Sequence, residues 1–345
     1  MRSLAVLLLM VCGLTPLAAG EADGRLDIYF IDVEGGAATL LVTPAGESIL
    51  IDSGYPDFGG RDADRILHVI KDVAKLSHLD HAVVSHWHLD HYGNHAALAA
   101  RLQILNFWDR GIPDILAEDK GFPERIANYR AATQNASQRL VAGDIFNLDT
   151  PGTSLSVKVL SASGKTIANR GPVNPFADLH QPQAEDTSDN AASISLLWKF
   201  GKFSFLTCGD LTWNVESQLV VPNNAIGRIE LFMVTHHGLP VSNNPALVRA
   251  IEPLVTVMCN GPTKGGHPQT IATLRSCPSI QANYQLHRNV ALSPADQAPV
   301  EYIANDGPTE GCKGEWILAS VAPDGNSFTV QIGAAGAAKT FHCRD

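Results

Sequence analysis

The chain has 345 residues, of which 35 are Asp or Glu and 25 are Lys or Arg, so its formal net charge is −10 at pH 7. Proteins that bind duplex nucleic acid usually carry an excess of basic residues, and this acidic balance argues against a dedicated nucleic-acid binder. The length is sufficient for a substantial buried core in one or two domains.

The first twenty residues have the features of a secretory signal peptide. Arg2 supplies a positive charge, residues 4–17 are mostly apolar, and small residues follow at 18–20. The apolar run is too short, and wrongly flanked, for a membrane-spanning helix. We therefore expect cleavage near Gly20, a mature chain of residues 21–345 without a transmembrane segment, and a secreted or periplasmic location.

Five cysteines follow the predicted signal peptide. In an exported protein we expect disulfide pairing among the last four, with a connectivity that the sequence leaves open. Cys208 lies within an apolar predicted strand and is expected to be a buried free thiol. The last four are Cys259, Cys277, Cys312 and Cys343.

Apolar periodicity predicts a strand-rich chain with interspersed helices. Strands at 26–33, 38–43 and 48–52 form an antiparallel meander, and a helix at 64–76 follows. The later elements are a strand at 81–85, a helix at 94–102, a strand at 106–110, a helix at 124–140, a strand at 155–160, a hairpin of 194–200 and 203–208, a strand at 230–234, a helix at 245–251, a strand at 254–259, and a hairpin of 316–321 and 327–332.

Residues 161–190 are rich in Gly, Pro, Asp and Asn and show no clear periodicity. Loops of this length are uncommon in compact domains and are often functional. Strands with intervening helices, and hairpins at both ends, suit a layered α/β sandwich. A single domain is predicted, because the sequence contains no low-complexity linker.

The strongest chemical signal is the run His-Trp-His-Leu-Asp-His at 86–91, between a predicted strand and a predicted helix. Residues i and i+2 of an extended chain point the same way, so His86 and His88 can bind one metal together. The chain then turns, and Asp90 and His91 can face a second metal. Imidazole and carboxylate groups are the usual ligands of zinc and its neighbours.

This run matches the His-x-His-x-Asp-His signature of the metallo-β-lactamase superfamily. Residues 51–54 resemble the early Asp motif of that fold, which implies that Asp52 orients ligands without binding metal. Residues 205–210 resemble the strand that ends in Gly-Asp, which implies that Asp210 bridges two metals. The resemblance implies a four-layer αββα sandwich that holds two divalent metal ions.

A narrower resemblance is to the branch that contains the hydrolase domain of the competence protein ComEC and the phosphorylcholine esterases. It rests on the motifs at 32–37, 190–197, 235–238 and 266–268, and it fades beyond Pro268, so we expect a C-terminal extension from about residue 290.

By this analogy, His236 or His237 completes the second metal site. We expect His236 to be the ligand and His237 to protonate the leaving group, and we expect Asp90, itself a metal ligand, to be the other catalytic residue. His267 either lines the site or caps the helix that starts near Pro268.

One position departs from the wider superfamily. Many members place a third histidine on the first metal about 20 residues before the bridging Asp, where this chain has Asn190, as the ComEC-like branch also tends to. An amide oxygen is a harder ligand than imidazole, so the expected metal is zinc or manganese. Asp189, or His180 from the long loop, is an alternative ligand at this position.

The resemblance implies a hydrolase in which two metals share an activated hydroxide. A phosphodiesterase is the leading prediction, and the net acidity favours a small-molecule or headgroup phosphate ester over long nucleic acid. Hydrolysis of a carbonyl substrate such as a lactone or β-lactam is the runner-up, against which Asn190 argues. A secreted, non-catalytic binding protein of the same fold would show degraded ligands, whereas the predicted ligands of both motifs are present.

Overall fold

The computed structural model describes residues 23–148 and 154–345. The predicted signal peptide lies outside these ranges, so cleavage near Gly20 stays a prediction. Among the described helices, none has the length and apolar character that a membrane span requires.

The described residues form seventeen strands and seven α-helices. In chain order the strands are β1 (Leu26–Phe30), β2 (Thr39–Val42), β3 (Ser48–Ile51), β4 (His78–Val83), β5 (Gln103–Asp109), β6 (Gln138–Arg139), β7 (Ser156–Ala162), β8 (Lys165–Thr166), β9 (Ser195–Phe200), β10 (Phe203–Thr207), β11 (Leu231–Met233), β12 (Val255–Met258), β13 (Ala282–His287), β14 (Ile303–Asn305), β15 (Ile317–Val321), β16 (Ser327–Ile332) and β17 (Lys339–His342). The α-helices are α1 (Arg61–His68), α2 (Leu89–Tyr92), α3 (His95–Ala99), α4 (Phe122–Ala132), α5 (Trp213–Gln218), α6 (Pro245–Ile251) and α7 (Pro268–Arg275).

The strands assemble into two mixed sheets. The first has the order β17-β16-β15-β1-β2-β3-β4-β5-β6, and the second has the order β14-β13-β12-β11-β10-β9-β7-β8. Strands β1, β2 and β3 are antiparallel neighbours, which confirms the predicted opening meander. Strands β3, β4 and β5 run parallel, as do β10, β11 and β12. The ends of these parallel strands therefore meet at common edges of the sheets.

Strands β1 and β10 bury every residue, and since successive side chains of a strand point to opposite faces, both faces of the sheets are covered there. Phe30 faces the second sheet and meets Phe205 edge-on, with ring centroids 5.9 Å apart. Its neighbour Tyr29 faces the other way and joins a cluster with Ile66 of α1. Leu206 likewise packs toward helices α5, α6 and α7. The fold is the predicted four-layer αββα sandwich.

Residues beyond 290, the predicted extension, contribute strands to both sheets. Strand β14 pairs in parallel with β13 of the second sheet. Strand β15 pairs antiparallel with β1, so that Leu26 lies opposite Val321 and Phe30 opposite Ile317. The first sheet therefore joins the early and late parts of the described chain.

The helix predicted at 124–140 is shorter in the structure. Helix α4 ends at Ala132, and Gln134 and Asn135 then adopt φ values of 52° and 57°. Such left-handed residues cannot continue a right-handed helix. The chain instead enters the first sheet at β6, so the prediction of helix up to residue 140 is wrong.

The predicted disulfide pairing is also wrong, because all five cysteines of the described residues are free. Cys208 and Cys277 are buried in the core between the second sheet and its helices. Cys259 is buried in the core between the two sheets. The prediction of a buried free thiol at Cys208 is confirmed.

A buried carboxylate connects the paired strands β1 and β15. Asp27 is 5% exposed and accepts a hydrogen bond of 2.5 Å from the Ser320 hydroxyl, whose oxygen accepts one of 2.7 Å from Arg25 Nε. Burial raises the pKa of Asp27 from 3.8 to about 6, although the hydrogen bond from Ser320 lowers it. Between these two pH values the folded chain holds a proton that the unfolded chain has released. The contribution of Asp27 to the free energy of unfolding is therefore fully present below about pH 4 and is lost as the pH rises through 6.

We expect Asp27→Asn to remove this loss, because the neutral amide cannot ionise. The free energy of unfolding of the variant, relative to wild type, should rise by about 2 kcal/mol between pH 4 and pH 8. Urea denaturation at both pH values measures this difference. Asp57→Asn, at an exposed carboxylate, is the matched control. An equal difference at the two pH values would mean that folding does not perturb Asp27.

Candidate metal centre

The predicted site residues lie where strands of both sheets end. Asp52 directly follows β3, and the run 86–91 follows its parallel neighbour β4. In the second sheet, Asp210 follows β10, and the turn Thr235–Gly238 follows the parallel β11. Parallel strands deliver the residues after their carboxyl ends to the same edge of a sheet, which is where ligand sites of α/β sheets form.

Two carboxylates and two histidines converge at this edge, with ligand atoms all within 4.8 Å of one another. Asp210 Oδ2 lies 3.2 Å from His91 Nε2 and 3.4 Å from His237 Nε2. Asp90 Oδ2 lies 3.4 Å and 3.2 Å from the same two nitrogens. All four side chains are buried. Such a set of oxygen and nitrogen donors fits a divalent metal ion.

The two histidines of this set are held by their other ring nitrogens. His91 Nδ1 lies 2.8 Å from Asp52 Oδ2, and His237 Nδ1 donates a hydrogen bond of 2.9 Å to the carbonyl oxygen of Cys259. A carbonyl oxygen only accepts, so Nε2 of a neutral His237 ring carries the lone pair. Asp52 also accepts hydrogen bonds from the Ser85 amide and hydroxyl, at 2.8 and 2.7 Å. This is the geometry by which an outer carboxylate orients a metal ligand.

A second group of donors lies beside the first. His86 Nε2 and Asn190 Oδ1 are both buried without a hydrogen-bond partner. Unpartnered buried polar atoms are rare, and each requires an explanation. His86 Nε2 lies 3.9 Å from Asp210 Oδ2, and Asn190 Nδ2 lies 3.5 Å from His236 Nε2. Coordination of a cation by His86 and Asn190 would satisfy both orphan atoms, so these residues fit a first metal next to Asp210.

The two consecutive histidines face different groups of donors. His237 contacts both Asp90 and His91, whereas His236 faces Asn190 and Asp210, 3.4 Å from the latter's Oδ2. Both histidines have left-handed φ values, 55° and 53°, and their rings diverge, with centroids 6.1 Å apart. His237, and not His236, therefore joins Asp90, His91 and Asp210 in the four-residue set.

His88 stands at the open side of the first group. Its ring centroid is 4.8 Å from that of His86, and its Nε2 lies 3.2 Å from Glu118 Oε1. Asp189 does not reach the site, because its carboxylate accepts a 2.6 Å hydrogen bond from the Trp87 amide and pairs with Arg110. Asp189 thus supports the chain between the two histidines.

Two further predicted residues point elsewhere. His180 Nδ1 lies 2.7 Å from the side-chain amide of Asn244. His267 is exposed, and its Nδ1 accepts a hydrogen bond of 3.2 Å from the Gln269 amide at the start of α7. Of the two alternatives for His267, the structure shows the helix cap.

The sequence did not indicate that a lysine, Lys264, lies at the site. Lys264 Nζ contacts Asp90 Oδ2 and lies 3.2 Å from the hydroxyl oxygen of Tyr55. Neither residue belongs to a ligand pattern. The one available signal was the position of Lys264, immediately before the Gly-Gly-His-Pro run at 265–268.

The charges of the site depend on one another. Burial opposes ionisation of Asp210, but the neighbouring His91, His237 and His236 hold its pKa well below the usual range. Burial likewise opposes protonation of His91, but Asp210, Asp90 and Asp52 raise its pKa well above the usual range. Burial lowers the pKa of His236 to about 4, which keeps this ring neutral at physiological pH. The site therefore surrounds ionised carboxylates with imidazoles of two kinds: the carboxylates favour the protonated form of His91, whereas burial keeps His236 neutral.

Residues 31–160 match the sequence model of the metallo-β-lactamase superfamily, and this range includes Asp52 and the run 86–91. This part of the chain is similar to the metallo-β-lactamase superfamily. The predicted superfamily is thereby confirmed, whereas the narrower ComEC-like branch stays a prediction. Members of the superfamily are mostly metal-dependent hydrolases. No curated protein gave a match.

Solved structures of low identity resemble this chain. The metallo-β-lactamase fold protein YhfI from Bacillus subtilis is 13% identical, with a TM-score of 0.43 over 75% of this chain and 95% of that one. The B3 metallo-β-lactamase MEM-A1 from a soil metagenome library is 17% identical, with a TM-score of 0.35 over 75% of each chain. CmlA, a diiron β-hydroxylase from Streptomyces venezuelae, is 16% identical, with a TM-score of 0.37 over 67% and 44%. The superfamily assignment rests on the sequence match and the two-sheet fold.

We expect His237→Ala to lower the bound metal by roughly one equivalent, because the substitution removes an imidazole donor from the four-residue set. Elemental analysis of the dialysed, metal-loaded protein measures the content. His267→Ala is the control, since that histidine is exposed and caps a helix. Normal metal content with reduced turnover in His237→Ala would restore the proton-donor role.

Proposed function

We propose that the protein is an exported two-metal hydrolase that cleaves phosphodiester bonds. The observation that carries this proposal is the position of one carboxylate oxygen. Asp210 Oδ2 faces the Nε2 atoms of four histidines, at 3.2 Å from His91, 3.4 Å from His236 and His237, and 3.9 Å from His86. A single carboxylate surrounded in this way is placed to be shared by two cations.

The residues divide into two sets around Asp210. The second metal would be held by Asp90, His91 and His237, and the first by His86, His88, His236 and Asn190, with zinc or manganese as the expected ions. Divalent ions in such a site lower the pKa of water and stabilise negative charge that develops at the reacting group.

The protein side chains keep these ligands in place. Asp52 fixes the ring of His91 at 2.8 Å, and the Asp210 amide donates a hydrogen bond of 3.1 Å to the Ser193 hydroxyl oxygen. Preorganised ligands require no rearrangement during the reaction, which is the general basis of electrostatic catalysis.

A cleft of about 720 Å³ adjoins the site and supports a substrate of modest size. Asn190 and Trp213 line it, and residues 183–186 and Ser188, at the end of the long loop, form part of its wall. The loop also places two carboxylates, Glu185 and Asp186, along the cleft. Carboxylates there would repel a polyanion such as nucleic acid. A small-molecule or headgroup ester therefore suits the cleft better.

The preference for phosphate esters over carbonyl substrates has two supports. The first is the resemblance of four motifs to the ComEC-like branch. The second is the amide of Asn190, whose hard oxygen donor stands where many superfamily members have imidazole, and which favours an oxygen-rich first site. Two-metal sites of this kind suit in-line displacement at phosphorus, since the two ions can stabilise the attacking and leaving oxygens.

We expect the wild-type protein to bind about two equivalents of metal and to hydrolyse bis-p-nitrophenyl phosphate. Asp210→Asn should lower the rate more than about 100-fold, because an amide cannot be shared between two cations as a carboxylate can. Elemental analysis and release of p-nitrophenolate measure both quantities. Asp178→Asn, at an exposed position of the long loop, is the matched control.

Other outcomes of the same experiment identify the rival functions. Two bound metals together with hydrolysis of a lactone or β-lactam, and no diesterase activity, would identify a carbonyl hydrolase. Absence of bound metal after reconstitution with zinc and with manganese would contradict any catalytic function and favour a binding protein.

A further inference from the structure

A lysine stands at the entrance to the second ligand set. Lys264 Nζ contacts Asp90 Oδ2, the same oxygen that lies 3.2 Å from His237 Nε2. It also donates a hydrogen bond of 3.2 Å to the hydroxyl oxygen of Tyr55, and it lies 5.4 Å from the centroid of that ring. The Lys264 side chain is 32% exposed, whereas that of Asp90 is 10% exposed. The ammonium group therefore lies between a predicted metal ligand and solvent.

The loop around Lys264 is fixed against the site by close backbone contacts. The carbonyl oxygen of Lys264 accepts a hydrogen bond of 2.8 Å from the Gly261 amide, and the Gly266 amide donates one of 2.9 Å to His237. A Cβ at Gly265 would lie 2.1 Å from the His237 carbonyl oxygen, and one at Gly35 would lie 3.0 Å from Lys264 Cβ. The position of the lysine is therefore built into the fold.

The chemistry of this group is that of an anion binder. An ammonium nitrogen has three hydrogen-bond donors and no lone pair, so Lys264 cannot be a metal ligand. Asp90 and Tyr55 occupy two of these donors, which leaves one for a further partner. Among the described residues, Lys264 is the one lysine or arginine that forms an ion pair with the carboxylates of the two ligand sets.

We propose that Lys264 and Tyr55 bind a non-bridging oxygen of the substrate's phosphate group, and of the phosphate product, at the second-metal side of the site. The identity of the substrate class rests on the proposed function, whereas the anion site rests on the contacts of Lys264. Charge-assisted hydrogen bonds to phosphate are among the strong ones, so this pair would set affinity for the anionic group. Tyr55 keeps the ammonium group in position through its hydroxyl and its ring.

Isothermal titration calorimetry tests the proposal, with inorganic phosphate titrated into the zinc-loaded full chain. Lys264→Met should weaken phosphate binding about 10- to 100-fold, because one charge-assisted hydrogen bond is lost while the chain length is kept. Lys264→Arg should retain most of the affinity. Metal content should stay at the wild-type value in both variants, since Lys264 is not a ligand.

The fold offers a matched control far from the site in sequence. Lys339 Nζ donates a hydrogen bond of 2.8 Å to the hydroxyl oxygen of Tyr302 and lies 5.0 Å from its ring centroid, which reproduces the Lys264–Tyr55 pair on β17. Lys339→Met should leave phosphate binding unchanged. An equal loss in both methionine variants would overturn the proposal, since it would report only a change of surface charge.

Two further results would also overturn the proposal. One is wild-type phosphate affinity in Lys264→Met. The other is a gain of about one metal equivalent in that variant, which would show that the ammonium group takes the place of a cation. Failure of the proposed function is distinguishable: phosphate binding that depends on Lys264, without any diester hydrolysis, supports the anion site and contradicts the phosphodiesterase.

Discussion

The structure of the site depends on the burial of negative charge at Asp210. A carboxylate removed from water is strongly destabilised unless opposite charges and hydrogen bonds surround it. Here the edges of both sheets bring four imidazole nitrogens within 4 Å of one Asp210 oxygen. Asp90 adds a second carboxylate, and Lys264 is the one permanent cation in contact with it. Carboxylate oxygens and imidazole nitrogens are the usual donors to divalent cations, so such ions are the partners that this set can best accommodate.

The surrounding loops are shaped by the same requirement. Asp90 lies under the loop that connects β1 with β2, and its carbonyl oxygen accepts a hydrogen bond of 3.0 Å from the Ala37 amide. A Cβ at Gly36 would come within 2.6 Å of that carbonyl oxygen. The Gly-Gly pair at 35–36 is thus needed so that the loop can approach both Asp90 and Lys264.

An ion-pair network supports this loop from behind. Arg65 forms ion pairs with Asp32 at 2.8 Å and with Glu34 at 2.9 Å, and Arg61 forms an ion pair with Glu34 at 2.8 Å. His287 Nε2 lies 2.7 Å from Asp32 Oδ1. Two guanidinium groups compensate the two carboxylates, so we interpret this cluster as structural. At the metal centre, by contrast, no arginine contacts the carboxylates of the described ligand sets. The network joins the loop to α1 and β13.

The sequence predicted the layers and most of the residues that converge at the site, because both depend on local patterns. Alternating apolar residues locate β1, and the tight spacing of His86, His88, Asp90 and His91 is a chemical signature in itself. The sequence could not show which group of donors each of His236 and His237 joins, because the direction of each ring depends on two successive left-handed residues in a turn. Lys264 was missed for a related reason: its contact with Asp90 joins residues 174 positions apart.

The pairing of β1 with β15 has a consequence for the order of folding. Leu26 and Val321 are neighbours in the sheet although nearly the whole described chain separates them. Until β15 emerges and docks, β1 presents an unpaired edge with free amide and carbonyl groups, which is a site for intermolecular strand pairing. Contacts of such long sequence separation also form slowly, because closing a long loop precedes any gain from the pairing. An incomplete chain is therefore exposed to aggregation during its synthesis, until β15 pairs with β1 and covers this edge.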